Sequence, residues 1–570
     1  MADDIGEVIT IDNFTTKMPQ FDPSSAIGKR ALYGLVDMGS NGIRFSISDL
    51  SPPRSRLLHC IYRERAAISL YDALHESAPG SRAFYFSNEI VQKVAETLAR
   101  FRGICDSYGV HKDHISVFAT EAMRTAKNRD EMLKAIKDAS GLVVDILSPE
   151  MESMFGAMGA RSGFVDVNGL FMDLGGGSVQ MTYLTSGMAV RAAKSIPYGA
   201  AKLTAALSSQ ATAESTRSEL RASMKETFEE LKEKFPELRD QARSKDGITI
   251  YFCGGGFRGY GSMLMHTDPI QPYPIPAIGG YTVPGNRFVQ WREMLKANEQ
   301  DGKIFGMSKR RREQFPAIVT VVEALVGAIP KINQVVFCSG GNREGVLFMK
   351  LPASIRESNP LPLLEKVSSP AGGVIFNSVV HVIQSALPKG YPETFSYELL
   401  HYMSTVLWND MGDPADANSA KALHNPISGS LAGLPGLTHE LRAVLALTIC
   451  ARWGTDLGPI DKILYDNLRA LIGPELSWWC DYIGKIGRLL GTVMPACPES
   501  EEKLKKTISF EASTSHGLGK KGHKVGIRLR IMLDVASRNG ISVGALEGIF
   551  DKVGKGLHLG WKVEAEVVDA

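Results

Sequence analysis

The chain has 570 residues, with 64 Lys and Arg against 62 Asp and Glu, so its formal charge is only +2 at neutral pH, which excludes a basic nucleic-acid coat and an acidic tail protein. Hydrophobic residues make up 44% and charged residues 22%, a globular composition, and at roughly 100–200 residues per domain the length predicts about three to five compact units. Seven cysteines, odd in number and without CxxC spacing, exclude a disulfide framework and a thiolate zinc cage.

Residues 1–28 lack sustained periodicity and hold Pro19 and Pro23, which predicts a tail or an edge strand. The first strong signal is an apolar run over 32–36, then the turn chemistry of Asp37-Met38-Gly39-Ser40-Asn41-Gly42, then a period-two run over 44–48. This is a strand, a glycine turn and a returning strand. Helical spacing over 89–108, a strand over 115–119, a helix over 128–139 and a strand over 142–147 follow. The opening grammar then recurs 136 positions on, where an apolar strand runs into Asp173-Leu174-Gly175-Gly176-Gly177-Ser178 and an alternating run over 179–184. An apolar strand ending in Asp-x-Gly occurs twice, which predicts two related subdomains.

A charged amphipathic stretch over 213–245 leads to two more strand-to-glycine junctions, 248–252 into Cys253-Gly254-Gly255-Gly256 and 334–337 into Cys338-Ser339-Gly340-Gly341-Asn342. Strands alternating with helices argue an α/β architecture. The greasy stretch over 317–329, broken by Glu323 and bounded by Pro316 and Pro330, reads as a buried helix. With no apolar leader at the N-terminus, the expectation is a soluble, cytoplasmic protein without a membrane partner. Beyond Pro352 the spacing of Pro and Ser looks like a linker, 396–490 is largely helical by pattern, and 505–570 reads as strand, helix, strand.

Glycine turns at strand ends expose backbone N–H groups that can wrap phosphate oxygens. A strand-terminal Asp beside such a turn can hold a water of hydrated Mg²⁺, which binds few carboxylates. Two such turns facing each other would grip a polyanion from both sides. The basic run Lys309-Arg310-Arg311-Arg312 allows three readings: a polyphosphate track, an import signal or a solvated helix start. No aromatic residues interleave the basic clusters, so no nucleic-acid partner is expected.

At this point the residues carry a resemblance. Asp37-x-Gly39-Ser40-Asn41 with Arg44, Ala119-Thr120-x-Ala122-x-Arg124-x-Ala126-x-Asn128, Ser148-Pro149-Glu150-Met151-Glu152, Asp173-x-Gly175-Gly176-Gly177-Ser178 and Ser195-x-Pro197-x-Gly199 stand in order. The Gly254 turn and Ser339-Gly340-Gly341-Asn342-Arg343-Glu344-Gly345 continue the series over roughly 31–350. Together they resemble the exopolyphosphatase and guanosine-pentaphosphate phosphohydrolase (Ppx/GppA) family. That resemblance implies a two-lobed α/β core of the actin, Hsp70 and sugar-kinase (RNase H-like) type, followed by a mainly helical HD-like domain and a small α+β C-terminal unit. The implied boundaries are a tail at 1–28, lobe I at 29–155, lobe II at 156–352, the helical domain at 353–500 and the last unit at 501–570.

The resemblance also implies roles. Glu152 would be the catalytic base and Arg124 the catalytic guanidinium whose planar fork takes two oxygens of the phosphate, with Asp37 and Asp173 holding Mg²⁺. Gly39, Ser40, Asn41, Arg44, Gly175, Gly176, Gly177, Ser178, Gly254, Gly255, Gly340 and Gly341 would bind phosphate. The implied ligand is polyphosphate, a nucleotide polyphosphate or ATP. Among eukaryotic members, a chain of this length resembles those that report mitochondrial dysfunction to the nucleus, which implies a regulatory signalling protein as partner and allows a homodimer. Met151 and Gln180 stand where the family commonly has acidic residues, and Asn409-Asp410 replaces the His-Asp pair of the HD domain, with only His424 at the next expected site. Two readings therefore stand side by side: a phosphoanhydride hydrolase, and a catalytically weak or inactive nucleotide sensor that regulates a partner.

Overall fold

Apolar runs punctuated by Asp-x-Gly become the central strands of two sheets. The computed structural model describes residues 8–18, 20–26, 30–39, 42–76, 84–186, 193–364, 374–454, 456–519, 521–538 and 540–569. Strands β1 (Val8–Ile9), β2 (Leu32–Gly39), β3 (Gly42–Asp49), β4 (His59–Ala66), β5 (Ile115–Ala119) and β6 (Val144–Leu147) form the first sheet, in the order β1-β6-β5-β2-β3-β4. β2, β3 and β4 make an antiparallel meander, while β5, β6 and β1 add parallel strands beside β2. The N-terminal stretch thus contributes an edge strand, with Val8 opposite Ile146.

The second sheet repeats the plan. Strands β7 (Asn168–Leu174), β8 (Val179–Thr185), β9 (Ala193–Ile196), β10 (Ile248–Cys253), β11 (Thr282–Pro284) and β12 (Ile332–Phe337) run in the order β11-β12-β10-β7-β8-β9. Only the edge differs, since β11 pairs with β12 antiparallel. The chain is therefore α/β, with two lobes of one topology. The crossovers are the expected helices, among them Asn88–Tyr108 and Arg129–Ser140, and the greasy stretch forms the buried helix Phe315–Ala328. The charged stretch after β9 is two helices, Gln210–Lys234 and Pro236–Arg243, because Pro236 has no amide to continue the first.

The chain divides into two compact units, Met1–Asp268 with Ala277–Ser358, and Pro269–Pro276 with Asn359–Ala570. The second unit is built on helices Val374–Ser385, Tyr397–Val406, Ala415–His424, His439–Trp453 and Pro459–Val493, the last kinked at Gly473 (φ 77°) before Pro474. It ends in a three-stranded sheet of β13 (Ile508–Leu518), β14 (Lys524–Leu533) and β15 (Trp561–Asp569). Trp478, 2% exposed, packs within this unit against Tyr482 and edge-on to Trp561. Among the described residues no helix is long and apolar enough to cross a membrane.

Candidate functional site

Period-two alternation decides where each aspartate points. In β2, Val36 and Met38 pack into one core with Ile43 and Phe45, while Tyr33 and Leu35 pack into another with Phe118 and Phe155. Asp37 shares the second face. In β7, Phe171 belongs to that same second core, and Asp173, two residues on, shares its face. Helices Pro149–Ser162 and Asn342–Lys350 fill this layer through Met151, Met154, Val346 and Phe348. The two aspartates therefore converge on one layer from opposite sheets.

Their electrostatics show the convergence. Asp37 is 6% exposed and its Oδ1 has no hydrogen-bond partner among the described residues. Burial pushes its pKa up, opposed by the charges of Arg44 and Arg343. Asp173 is raised to about 6, first by burial, with Arg258 and Arg44 opposing and Asp37 adding to the rise. Glu152 is raised to about 7, again first by burial, with Arg124 opposing and both aspartates adding. Three carboxylates from separate segments thus feel one another.

Glu152 lies in the first turn of helix Pro149–Ser162, where the Ser148 hydroxyl caps the Met151 amide at 3.2 Å and Pro149 opens the helix. Met151 turns into the core at 0% exposure. Arg124, from the short helix Glu121–Thr125, donates to Glu152 Oε2 at 3.0 Å and to the Leu147 carbonyl at 2.5 Å. Its fork is therefore engaged by the Glu152 carboxylate and a backbone carbonyl, and it orients that carboxylate. Asn128 clamps a loop instead, accepting from the Phe86 amide and donating to the Phe86 carbonyl.

The turn at Gly175, Gly176, Gly177 and Ser178 is braced from behind. Its carbonyls accept from the amides of Gly199, Ala200, Ala201 and Lys202 at 2.9–3.1 Å, at the start of helix Ala200–Leu207. Gln180, paired with Asp173 across β7 and β8, donates to the Ser178 hydroxyl at 2.6 Å. Gly254 opens helix Gly254–His266 with φ +84°, and a Cβ there would lie 2.3 Å from Asp173 Oδ1. Only glycine leaves that carboxylate its space. A Cβ on Gly255 would come within 3.9 Å of Arg311, while Gly39 pairs with Gly42 at the mouth of the first hairpin. Ser40 and Asn41 lie outside the described residues. Gly340 and Gly341 sit against helix Pro149–Ser162: a Cβ on Gly340 would meet the Gly159 carbonyl, and the Gly341 amide donates to Glu344.

Of four further arginines here, Arg65 and Arg258 carry no signal in the sequence, while Arg311 belongs to the basic run and Arg343 to the motif that starts at Ser339. Arg65 stands opposite Arg44 across β3 and β4, on the face of Asp37. Arg258 donates to the Ser339 and Gly340 carbonyls at 2.6 and 3.1 Å. Burial lowers the pKa of Arg311, and the charges of Arg258, Arg44 and Arg65 lower it further. Arg343 is 9% exposed, and its Nη1 lacks a hydrogen-bond partner among the described residues. The basic run is thus a capped helix start, Lys309–Glu313, with no fully buried residue, whose guanidinium groups are held by protein partners. Arg310 pairs with Asp72 at 2.8 Å, and Arg312 donates to the Gly302 and Asp301 carbonyls.

The carboxylates fit a hydrated divalent cation. Asp37 Oδ1 is buried without a partner among the described residues, and burial, with like charge adding to it, raises Asp173 and Glu152, both of which a cation would relieve. Among the described residues no cluster of three or more His, Cys, Asp or Glu forms a metal cage, so such an ion would keep most of its water, as Mg²⁺ does.

The model of the Ppx/GppA phosphatase family matches residues 50–354, and that of the RTG2 C-terminal domain matches residues 364–568. The chain is 31% identical over 529 residues to Retrograde regulation protein 2 of Saccharomyces cerevisiae, covering 87% of this chain and 88% of that protein. Among solved structures, the Ppx/GppA family member of Aquifex aeolicus shares 20% identity, covering 56% of this chain and 96% of its own, with a TM-score of 0.45. An exopolyphosphatase from Cytophaga hutchinsonii shares 21% over 56% of this chain and 99% of its own, with a TM-score of 0.43. With more than half of its length matched by the family model and a relative aligned nearly end to end, the chain belongs to the Ppx/GppA phosphatase family.

Proposed function

We propose that the chain is a Mg²⁺-dependent phosphohydrolase that binds a linear polyphosphate, a nucleotide polyphosphate or ATP between its two sheets and releases the terminal phosphate. The observation that carries this reading is Glu152, a carboxylate raised to about 7, hydrogen-bonded to Arg124 and within the field of Asp37 and Asp173. A base with a pKa near the working pH is best placed to take a proton from water. In this reading Glu152 takes that proton as the water attacks the terminal phosphorus, while Arg124 fixes the carboxylate's orientation. Asp37 and Asp173 would hold Mg²⁺ through its water shell, which supplies charge neutralisation on the phosphoryl oxygens. Arg44, Arg258, Arg311 and the backbone of the Gly175 to Ser178 turn would bind the remaining charge. The likeness to Retrograde regulation protein 2 supports a role in mitochondria-to-nucleus signalling through a regulatory partner.

Gln180 favours a second reading. An amide opposite Asp173, committed to Ser178, leaves the cation one carboxylate fewer, which suits a sensor that binds its ligand and turns it over slowly. Phosphate release from polyphosphate and from ATP, with Mg²⁺ present, separates the two. The expected result is release that falls on the order of 10²-fold or more in Glu152→Gln, with ligand binding retained. Release unchanged by that substitution sinks the assigned base, and binding without any release establishes the sensor.

A further inference from the structure

A cavity of about 450 Å³ opens in the second unit, among helices Tyr397–Val406, Ala415–His424 and His439–Trp453. That volume lies within the range of small-molecule sites, about 300–1,000 Å³. Its apolar walls are Tyr402, Val406, Ile449 and Trp453, and Asn409, Asp410, Asn418 and His424 add polar groups.

The hydrogen bonds show which ligand chemistry is left open. Two lining groups can carry positive charge: His424 bonds Asp461 at 2.8 Å, and Lys421 pairs with Asp413 and also feels the charge of Asp410. The Asn418 side-chain amide donates to the Asp410 carbonyl at 2.9 Å, yet its Oδ1, on a residue 2% exposed, has no partner among the described residues. Asp410 holds a left-handed backbone at φ 56°, a conformation uncommon outside glycine and maintained here by that bond from Asn418. Its carboxylate makes no hydrogen bond to a described residue. Two acceptors thus lack hydrogen-bond donors among the described residues, the buried Asn418 Oδ1 and the exposed Asp410 carboxylate, and the nearest cations, Lys421 and His424, already have carboxylate partners. An anion entering there would meet like charge and lose its hydration without recompense.

We infer that this cavity binds a small amine: a molecule with an aromatic or aliphatic body seated against Tyr402 and Trp453, carrying a primary ammonium or exocyclic amino group to Asp410 and Asn418. Neither the family match nor the phosphate chemistry of the first unit assigns such a ligand. Calorimetric titration of the full chain tests it, with tryptamine as the ammonium probe, adenosine as the neutral amine, and indole-3-propionate as the anionic counterpart of tryptamine. At least one amine is expected to bind with a Kd below about 1 mM, and indole-3-propionate at least tenfold more weakly than tryptamine.

Thr405→Trp, which fills the cavity, abolishes binding. Asp410→Asn, whose side chain tolerates the left-handed backbone, weakens tryptamine about tenfold and adenosine less. Saturating pyrophosphate leaves both affinities unchanged, which separates this site from a phosphate site. The inference is overturned if neither amine binds, if the anion binds as well as tryptamine, if pyrophosphate displaces the amines, or if Asp410→Asn leaves tryptamine affinity intact. The last outcome is decisive even where Thr405→Trp fails to fold.

Discussion

Ionised Glu152 and Asp173 weigh against the folded state. Their ordinary values are 4.5 and 3.8, and in the folded chain they rise to about 7 and about 6. As pH climbs through the window between ordinary and folded values, the unfolded chain releases these protons while the folded chain retains them. The unfolded state therefore binds fewer protons, and stability falls as pH rises, reaching its reduced level above about 7. Glu152→Gln and Asp173→Asn cannot ionise. In chelator-containing buffer each is expected to raise the melting temperature relative to the parent chain by roughly 2 °C or more at pH 8, with a smaller gain at pH 5. Melting curves at the two pH values check this, and equal gains at both would rule out ionisation as the cause. If Glu152 is the base proposed above, phosphate release should increase with pH up to about 7, because that carboxylate would act only when deprotonated. Added Mg²⁺ should move that rise to lower pH by stabilising the charged forms.

Helices Pro149–Ser162 and Asn342–Lys350 approach at backbone contact, and this sets where Asn342 and Arg343 lie relative to Asp37. A Cβ on Gly159 would fall 2.0 Å from the Gly341 carbonyl, and one on Gly345 would fall 1.9 Å from the Phe155 carbonyl. Gly159→Ala is therefore expected to lower stability by about 1–3 kcal/mol and to weaken ligand binding, as the helix carrying Arg343 shifts. Gly103→Ala is the control, since nothing lies within 4 Å of its Cβ position, and it should stabilise helix Asn88–Tyr108 by about 0.5–1 kcal/mol. Chemical denaturation of the two variants distinguishes a packing requirement from a general intolerance of alanine. The same glycines show what the sequence could and could not reveal. Strands ending in Asp-x-Gly were legible because apolar runs and glycine punctuation are local signals. Whether Gly340 makes room for a ligand or for a neighbouring helix is not local, since both need a missing side chain. Arg63 and Arg65 alternate along β4, but only its register with β3 puts Arg65 beside Arg44. Over 505–570 the first strand legible in the sequence is β14, because in β13 the positions in phase with Ile508 and Phe510 are Ala512, Thr514 and His516, which carry no strong apolar signal.

Around the three carboxylates stand five guanidinium groups, Arg44, Arg65, Arg258, Arg311 and Arg343, which share one field. Arg124 is already paired with Glu152. The surplus is positive although the whole chain is nearly neutral at +2, so the attraction that the proposed function requires for a polyanion would come from this locality and not from net charge. Two ion pairs join the first lobe to later segments of the same unit: Arg310 with Asp72 at 2.8 Å and Arg63 with Glu344 at 3.8 Å. Both are partly exposed and contribute little stability. Charges of this kind act over about 10 Å at 0.1 M salt and over less as salt rises. Tripolyphosphate affinity, measured with Mg²⁺ at fixed concentration, should therefore fall steeply between 50 and 200 mM KCl. Arg311→Ala should weaken binding about tenfold at the lower salt and flatten that dependence, because one cation no longer contributes. If the slope is unchanged while affinity falls, Arg311 acts by packing on Gly255 and Gly259 rather than by charge, and the polyanion takes a different path across the two lobes.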